Sequence, residues 1–192
     1  MITGLLGVNG SGKTTHLRSL HKDRPGHFLP DYPTIPVELS ALELLHRIGK
    51  MLKLPDAHQR AHLLCETLRI HGGTDKAVST YSAGNYKKTA FATLLIDKPK
   101  FLYLDEPFET VDIISKKTML DIIIQLSEGG ADIILTTQDV DLCQQFDYVK
   151  IFSKLEIVAE GKPSTVLGKN PLKSFLDLAG AQYPAISLNW LR

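Results

Sequence analysis

Residues 7–14 read Gly-Val-Asn-Gly-Ser-Gly-Lys-Thr, and that spacing leaves few folds open to the chain. Gly7, Gly10 and Gly12 let a backbone wrap with its N–H groups pointing into one hollow, and a lysine and a threonine follow where a helix begins. A loop of this kind cradles the β- and γ-phosphates of a nucleotide when a strand leads into it and a helix leads out. Both flanks are present: Met1-Ile-Thr-Gly-Leu-Leu is a short apolar run, and Leu17 and Leu20 follow Thr15 at helical spacing. The expected phosphate-binding set is therefore Gly7, Asn9, Gly10, Ser11, Gly12, Lys13, Thr14 and Thr15. Lys13 neutralises phosphate charge, and the Thr14 hydroxyl is offered to Mg²⁺. A chance glycine-rich turn would not carry the lysine, the threonine and both flanks together.

The bulk numbers restrict the setting. A chain of 192 residues that is 43% hydrophobic can bury one sizeable core with a small subdomain attached. With 22 basic against 21 acidic side chains the net charge is +1, so no global field recruits nucleic acid, and no direct nucleic-acid partner is expected. Cys65 and Cys143 are far apart and read as reduced, buried thiols of a cytosolic protein. No stretch approaches the roughly 18–20 apolar residues of a membrane span, and the start lacks a signal peptide's basic region and cleavage site.

Strand and helix patterns alternate along the chain. Gly26-His-Phe-Leu reads as a short strand before a stretch with four prolines between Pro25 and Pro36, where the fold changes subdomain. Ala41, Leu44, Leu45, Ile48 and Leu52 share one helical face, and Ala61, Leu64, Cys65 and Leu68 another, separated by Pro55-Asp56. Helices are also expected over 82–96 and 113–127, the latter stopped by Gly129-Gly130. Strands are expected at 101–104, at 132–136, and at 148–152 and 155–159 around a turn at Ser153-Lys154. The fold class is α/β, a mainly parallel sheet with helices on both faces. A single domain is predicted, with a core of residues 1–36 and 81–167, a helical subdomain over 37–80 and a C-terminal tail over 168–192.

Phe101-Leu-Tyr-Leu ends in Asp105-Glu106, which supplies what a phosphate loop still lacks. A buried strand ending in aspartate brings a carboxylate beside the loop, where Asp105 can hold Mg²⁺. Glu106, next along, is placed to deprotonate the water that attacks the γ-phosphate.

With these motifs the chain resembles the ATP-binding-cassette ATPases of ABC transporters. The most specific match is Tyr81-Ser-Ala-Gly-Asn-Tyr-Lys-Lys, followed by a helix, Asp97-Lys-Pro-Lys and Phe101-Leu-Tyr-Leu-Asp-Glu-Pro. Ser82, Ala83, Gly84 and Asn85 look like the family's signature, which binds the γ-phosphate held by the opposite protomer. Glu106-Pro-Phe-Glu-Thr-Val-Asp112 looks like its dimer-contacting loop, with Asp112 as the aspartate, and the likeness runs to about residue 167. The resemblance implies ATP and Mg²⁺ as ligands, a homodimer or a heterodimer with another such ATPase, and an integral-membrane transporter subunit as partner. It also implies a place on the cytoplasmic face of the membrane, reached through that partner.

Three departures accompany the match. Met1 stands where the family has antiparallel strands and an adenine-stacking aromatic, so that N-terminal β-subdomain is expected to be reduced or absent. Asp31 stands where a glutamine usually reaches Mg²⁺. Gln138 takes the place of a histidine after the strand Ile133-Ile-Leu-Thr-Thr, and all seven histidines lie at or before His71. The resemblance therefore implies Thr14, Asp31 and Asp105 as metal ligands, with Glu106 and Gln138 as the catalytic pair, and slow hydrolysis in isolation. Two other readings remain open: a regulatory protein that binds nucleotide with weak hydrolysis, and a soluble ABC ATPase outside transport.

Overall fold

The structure, a computed structural model, describes residues 1–180; residues 181–192, part of the expected C-terminal tail, lie outside the described residues. In chain order the elements begin β1 (Ile2–Gly7), α1 (Lys13–Asp23), β2 (His27–Leu29), α2 (Ala41–Met51), α3 (Ala57–Thr67), α4 (Ala83–Leu95) and β3 (Phe101–Leu104). They continue α5 (Ile113–Glu128), β4 (Asp132–Thr137), α6 (Val140–Cys143), β5 (Tyr148–Ser153), β6 (Glu156–Gly161), α7 (Pro163–Val166) and α8 (Pro171–Ala179).

The strands form one sheet in the order β2-β3-β4-β1-β5-β6. All neighbours are parallel except β6, which closes the edge antiparallel to β5. This is the mainly parallel α/β sheet that the patterning predicts. Every residue of β1 is buried, as befits a central strand covered on both faces. Side chains alternate between those faces. Leu5, Tyr103 and Phe152 meet Leu17 of α1 on one side. Leu6, Leu102, Leu104, Ile133 and Leu135 face the larger core on the other, with Phe91 of α4, Met119 and Ile123 of α5, and Phe175 of α8.

Helix starts are set by short polar side chains that accept orphan N–H groups. Ser40, Ser82, Asp112 and Asp139 cap α2, α4, α5 and α6 in this way. The helical insert is zipped shut at its root, where Ser40 bridges Ala77 and the N–H groups of Val78 and Ser79 donate to Leu39 and Val37. Its inner residues Leu45, Ala61, Cys65 and Leu68 belong to the same core as the sheet. The insert is thus continuous with the sheet's core, and α4 joins the two.

One local expectation is corrected. The hairpin turn is Lys154-Leu155 rather than Ser153-Lys154, and β6 begins at Glu156. Ser153 pairs with Glu156, leaving two turn residues, and a type I′ turn, one of the two that match strand twist, has positive φ at both. Lys154 and Leu155 accept φ of +48° and +70°.

Candidate active site

β1 delivers the chain to the phosphate loop at Gly7, and α1 carries it away at Lys13. Gly10 and Gly12 occupy left-handed backbone at φ +76° and +105°. Gly7 is needed for a different reason: a Cβ there would lie 2.4 Å from Ser11 Oγ and 2.9 Å from Phe152 O. Ser11 Oγ is buried without a hydrogen-bond partner, although such groups normally have one. The buried Lys13 ammonium rests on loop carbonyls, donating to Gly7 O at 2.7 Å and Val8 O at 3.1 Å. An orphaned hydroxyl and a lysine parked on its own loop suit an incoming phosphate. The cradle holds about 210 Å³, with Asn9, Thr14 and Thr15 on its wall beside Asp31 and Glu106.

The strand β3 brings Asp105 against this loop. Its Oδ1 accepts from Thr14 Oγ1 and from Thr136 Oγ1, each at 2.8 Å. The Thr136 hydroxyl accepts in turn from Glu106 N–H at 2.8 Å, so β4 locks both acidic residues in place. A threonine hydroxyl beside a buried carboxylate is a hard-oxygen pair that fits Mg²⁺. Among the described residues no group of three His, Cys, Asp or Glu side chains could hold a metal by itself. The remaining ligands would be phosphate oxygens and water.

Glu106 sits just beyond, at φ +43°. Its Oε1 lies 3.5 Å from Lys13 Nζ, an ion pair too long to count as a hydrogen bond, and that oxygen is otherwise unpartnered. Burial pushes the carboxyl above its ordinary range, against the pull of Lys13. A carboxylate with raised basicity and a free oxygen is equipped to take a proton from water.

A second cavity of about 440 Å³ adjoins the cradle and shares Asn9, Asp31 and Glu106 with it. Gln138, exposed at the end of β4, lines this cavity, and Ala83 reaches it from the start of α4. Asp31 borders both spaces, but its carboxylate is paired with Lys87 at 3.3 Å, and the same ammonium donates to Asp31 O at 2.5 Å. The physical reason is the burial of Lys87, whose charge needs a counter-charge.

The rest of the expected signature is placed less uniformly. Ser82 is exposed and accepts from Asn85 N–H at 3.3 Å. A Cβ on Gly84 would stand 3.1 Å from Thr110 O, so the start of α4 packs against the loop after β3. Asn85 turns inward and donates from Nδ2 to His71 O at 3.1 Å. Asp112 spends its carboxylate on capping α5, and hydrogen bonds from Ser115 lower its pKa to about 2. Burial raises the Cys65 and Cys143 thiols to about 11 and 12, which keeps both unreactive.

Sequence reasoning missed Thr136 and Lys87. A polar Thr136-Thr137 ending an apolar strand was a signal for the first. Nothing local marks Lys87, whose partner is 56 residues away. A larger cavity, about 730 Å³ beside Arg24, Phe101 and Asp132, lies at the opposite ends of the strands and shares no residue with the phosphate loop. In a parallel sheet ligands bind beyond the carboxyl ends of the strands, which favours the smaller cradle.

A family model described as ABC transporter matches residues 1–109, more than half of the chain. The chain belongs to the ABC transporter family. It is 29% identical over 190 residues to an uncharacterized ABC transporter ATP-binding protein of Methanocaldococcus jannaschii, covering 92% of this chain and 72% of that protein. To the manganese transport system ATP-binding protein MntA of Synechocystis it is 28% identical, covering 98% and 82%. Against rat ATP-binding cassette sub-family A member 2 it is 28% identical but spans only 7% of that protein. A solved ATP-binding subunit of an ABC transporter superposes with a TM-score of 0.81 at 20% identity, over 92% of this chain and 87% of that one, and so shares the fold. Among the described residues no helix is long and apolar enough to cross a membrane.

Proposed function

We propose that this ABC subunit binds and hydrolyses ATP to power transport through a separate membrane-spanning partner, working as a head-to-tail dimer on the cytoplasmic face. The observation that carries the reading is the bond from Thr14 to Asp105 at 2.8 Å, with Glu106 Oε1 free of hydrogen bonds beside Lys13. In this reading the loop N–H groups and Lys13 hold the phosphates of ATP, while Thr14 and Asp105 hold Mg²⁺. The metal supplies charge neutralisation on the phosphates. Glu106 accepts the proton of the attacking water, and Gln138, neutral at every pH, can offer only a hydrogen bond to the γ-phosphate. Ser82 and Gly84, at the exposed start of α4, are suited to complete the site of the opposite protomer, with Asp112 in the loop between the two. The helical insert, sharing its core with the sheet, would carry the change to the membrane partner.

One observation favours a second reading. Lys87 occupies the Asp31 carboxylate and Gln138 cannot carry charge, which suits a subunit that binds nucleotide and hydrolyses it weakly. Steady-state ATP turnover by the purified protein, with and without the membrane partner, separates the two. Lys13→Ala is expected to weaken ATP binding by about 10–100-fold, the loss of charge-assisted contacts to phosphate. Equal ATP affinity in the wild type and this variant would overturn the site.

A further inference from the structure

Beside the phosphate cradle lies a hollow of about 560 Å³ whose walls include Phe152, His16, Leu155 and Ile157. The two spaces share Gly12, Thr15 and Leu155, so they form one trough around the start of α1. Their chemistry differs along its length. The cradle offers backbone N–H groups, a lysine and carboxylates, whereas the hollow is mainly aromatic and aliphatic, with Thr15, Ser19 and Glu156 completing its walls. His16 stacks on Phe152 with ring centroids 5.2 Å apart.

Leu155 is the unusual residue. It is a large apolar side chain left 74% exposed, on left-handed backbone that leucine adopts only with strain. Its N–H donates to Ser11 O at 3.0 Å, and its Cα would stand 3.1 Å from a Cβ placed on Gly12. The hairpin tip is thereby fastened to the phosphate loop itself. That exposed apolar surface is covered when an apolar, planar group lies against the side chain.

We propose that this hollow receives the base and ribose of the nucleotide, with Leu155 and Ile157 lying against the base while the phosphates occupy the loop. The inference rests on the phosphate-loop reading above and adds the part of the site that holds the nucleoside. Aliphatic contact carries no hydrogen-bond code, so the hollow accepts a purine by shape and desolvation and treats ATP and GTP alike.

The test is a binding titration of the full chain with ATP, GTP and inorganic tripolyphosphate, each with Mg²⁺. The double variant Leu155→Asn, Ile157→Thr removes the apolar contact while keeping residue types that suit left-handed backbone and a strand. ATP and GTP affinity should each fall about tenfold, with tripolyphosphate unchanged. Ile157→Thr alone leaves the hairpin tip intact and carries the test if the double variant does not fold; its expected loss is about threefold for the nucleotides only. Unchanged ATP and GTP affinity, or an equal loss for tripolyphosphate, overturns the proposal while leaving the phosphate loop standing. If the wild type binds none of these ligands, or Lys13→Ala leaves all unaffected, the phosphate reading itself fails.

Discussion

Replacing Glu106 by glutamine should separate catalysis from folding, because the structure places that carboxylate where it is useful and uncomfortable. At 3.5 Å from Lys13 Nζ, an effective dielectric of about 20 gives an attraction of about 5 kcal/mol. The carboxyl nevertheless lies above its ordinary range, so desolvation outweighs that attraction. Lys13 keeps its bonds to Gly7 O and Val8 O when the charge is removed, so its ammonium stays hydrogen-bonded. Glu106→Gln is therefore expected to be at least as stable as the wild type at pH 7 and to bind ATP normally. Turnover should fall by about 10²–10⁴-fold, the usual contribution of a positioned general base, which is about 3–5 kcal/mol of barrier. The pH dependence has a definite sign. The folded state keeps the Glu106 proton to higher pH than the unfolded chain, so wild-type stability declines as pH rises from the ordinary glutamate value of 4.5 through the raised one, and the variant loses this decline. Phosphate release, ATP titration and melting temperature across pH check all three. Normal turnover in Glu106→Gln refutes the catalytic role, and a melting temperature well below wild type at pH 7 refutes the electrostatic argument.

Gln138→His, at the cavity wall shared with Glu106, should raise turnover with ATP affinity nearly unchanged, since the contact matters more in the transition state; wild-type values for this variant and for Gln138→Ala would show no role at the phosphate. Lys87→Met leaves Asp31 without its partner and should lower the stability measured by urea unfolding by about 1–3 kcal/mol; an unchanged midpoint would show the pair to be energetically idle. Asp112, held at about 2 by Ser115, contributes stability that is present above 3.8 and lost as pH falls toward 2. Asp112→Asn should flatten that acid limb of a melting-temperature profile, and a limb as steep as wild type's would assign it to other carboxylates.

The phosphate loop was legible in the sequence because its constraint is local: Gly10 and Gly12 need positive φ, and Gly7 needs the absence of a side chain. The strands expected at 101–104 and 132–136 were legible because burial on both faces favours apolar runs, and the helix starts because Ser82 and Asp112 cap their own chain. The hairpin turn was misplaced by one residue. No turn-forming side chain marks Leu155, whose left-handed backbone is imposed by the pairing of Ser153 with Glu156 and by the bond to Ser11.

By itself, then, the sequence determined what nearest neighbours along the chain decide: a strand, a glycine-rich loop and a helix in one order, an acidic pair ending a buried strand, and an insert of two amphipathic helices. Tertiary structure alone decided which of these lie side by side. Parallel pairing sets Ile2 beside Ile133 and Thr3 beside Tyr148, and that pairing brings Thr136 to Asp105, Phe152 beneath His16 and Leu155 onto the phosphate loop. Lys87 found Asp31 for the same reason. A buried charge takes whatever counter-charge the packing supplies, and packing joins residues that the sequence keeps far apart.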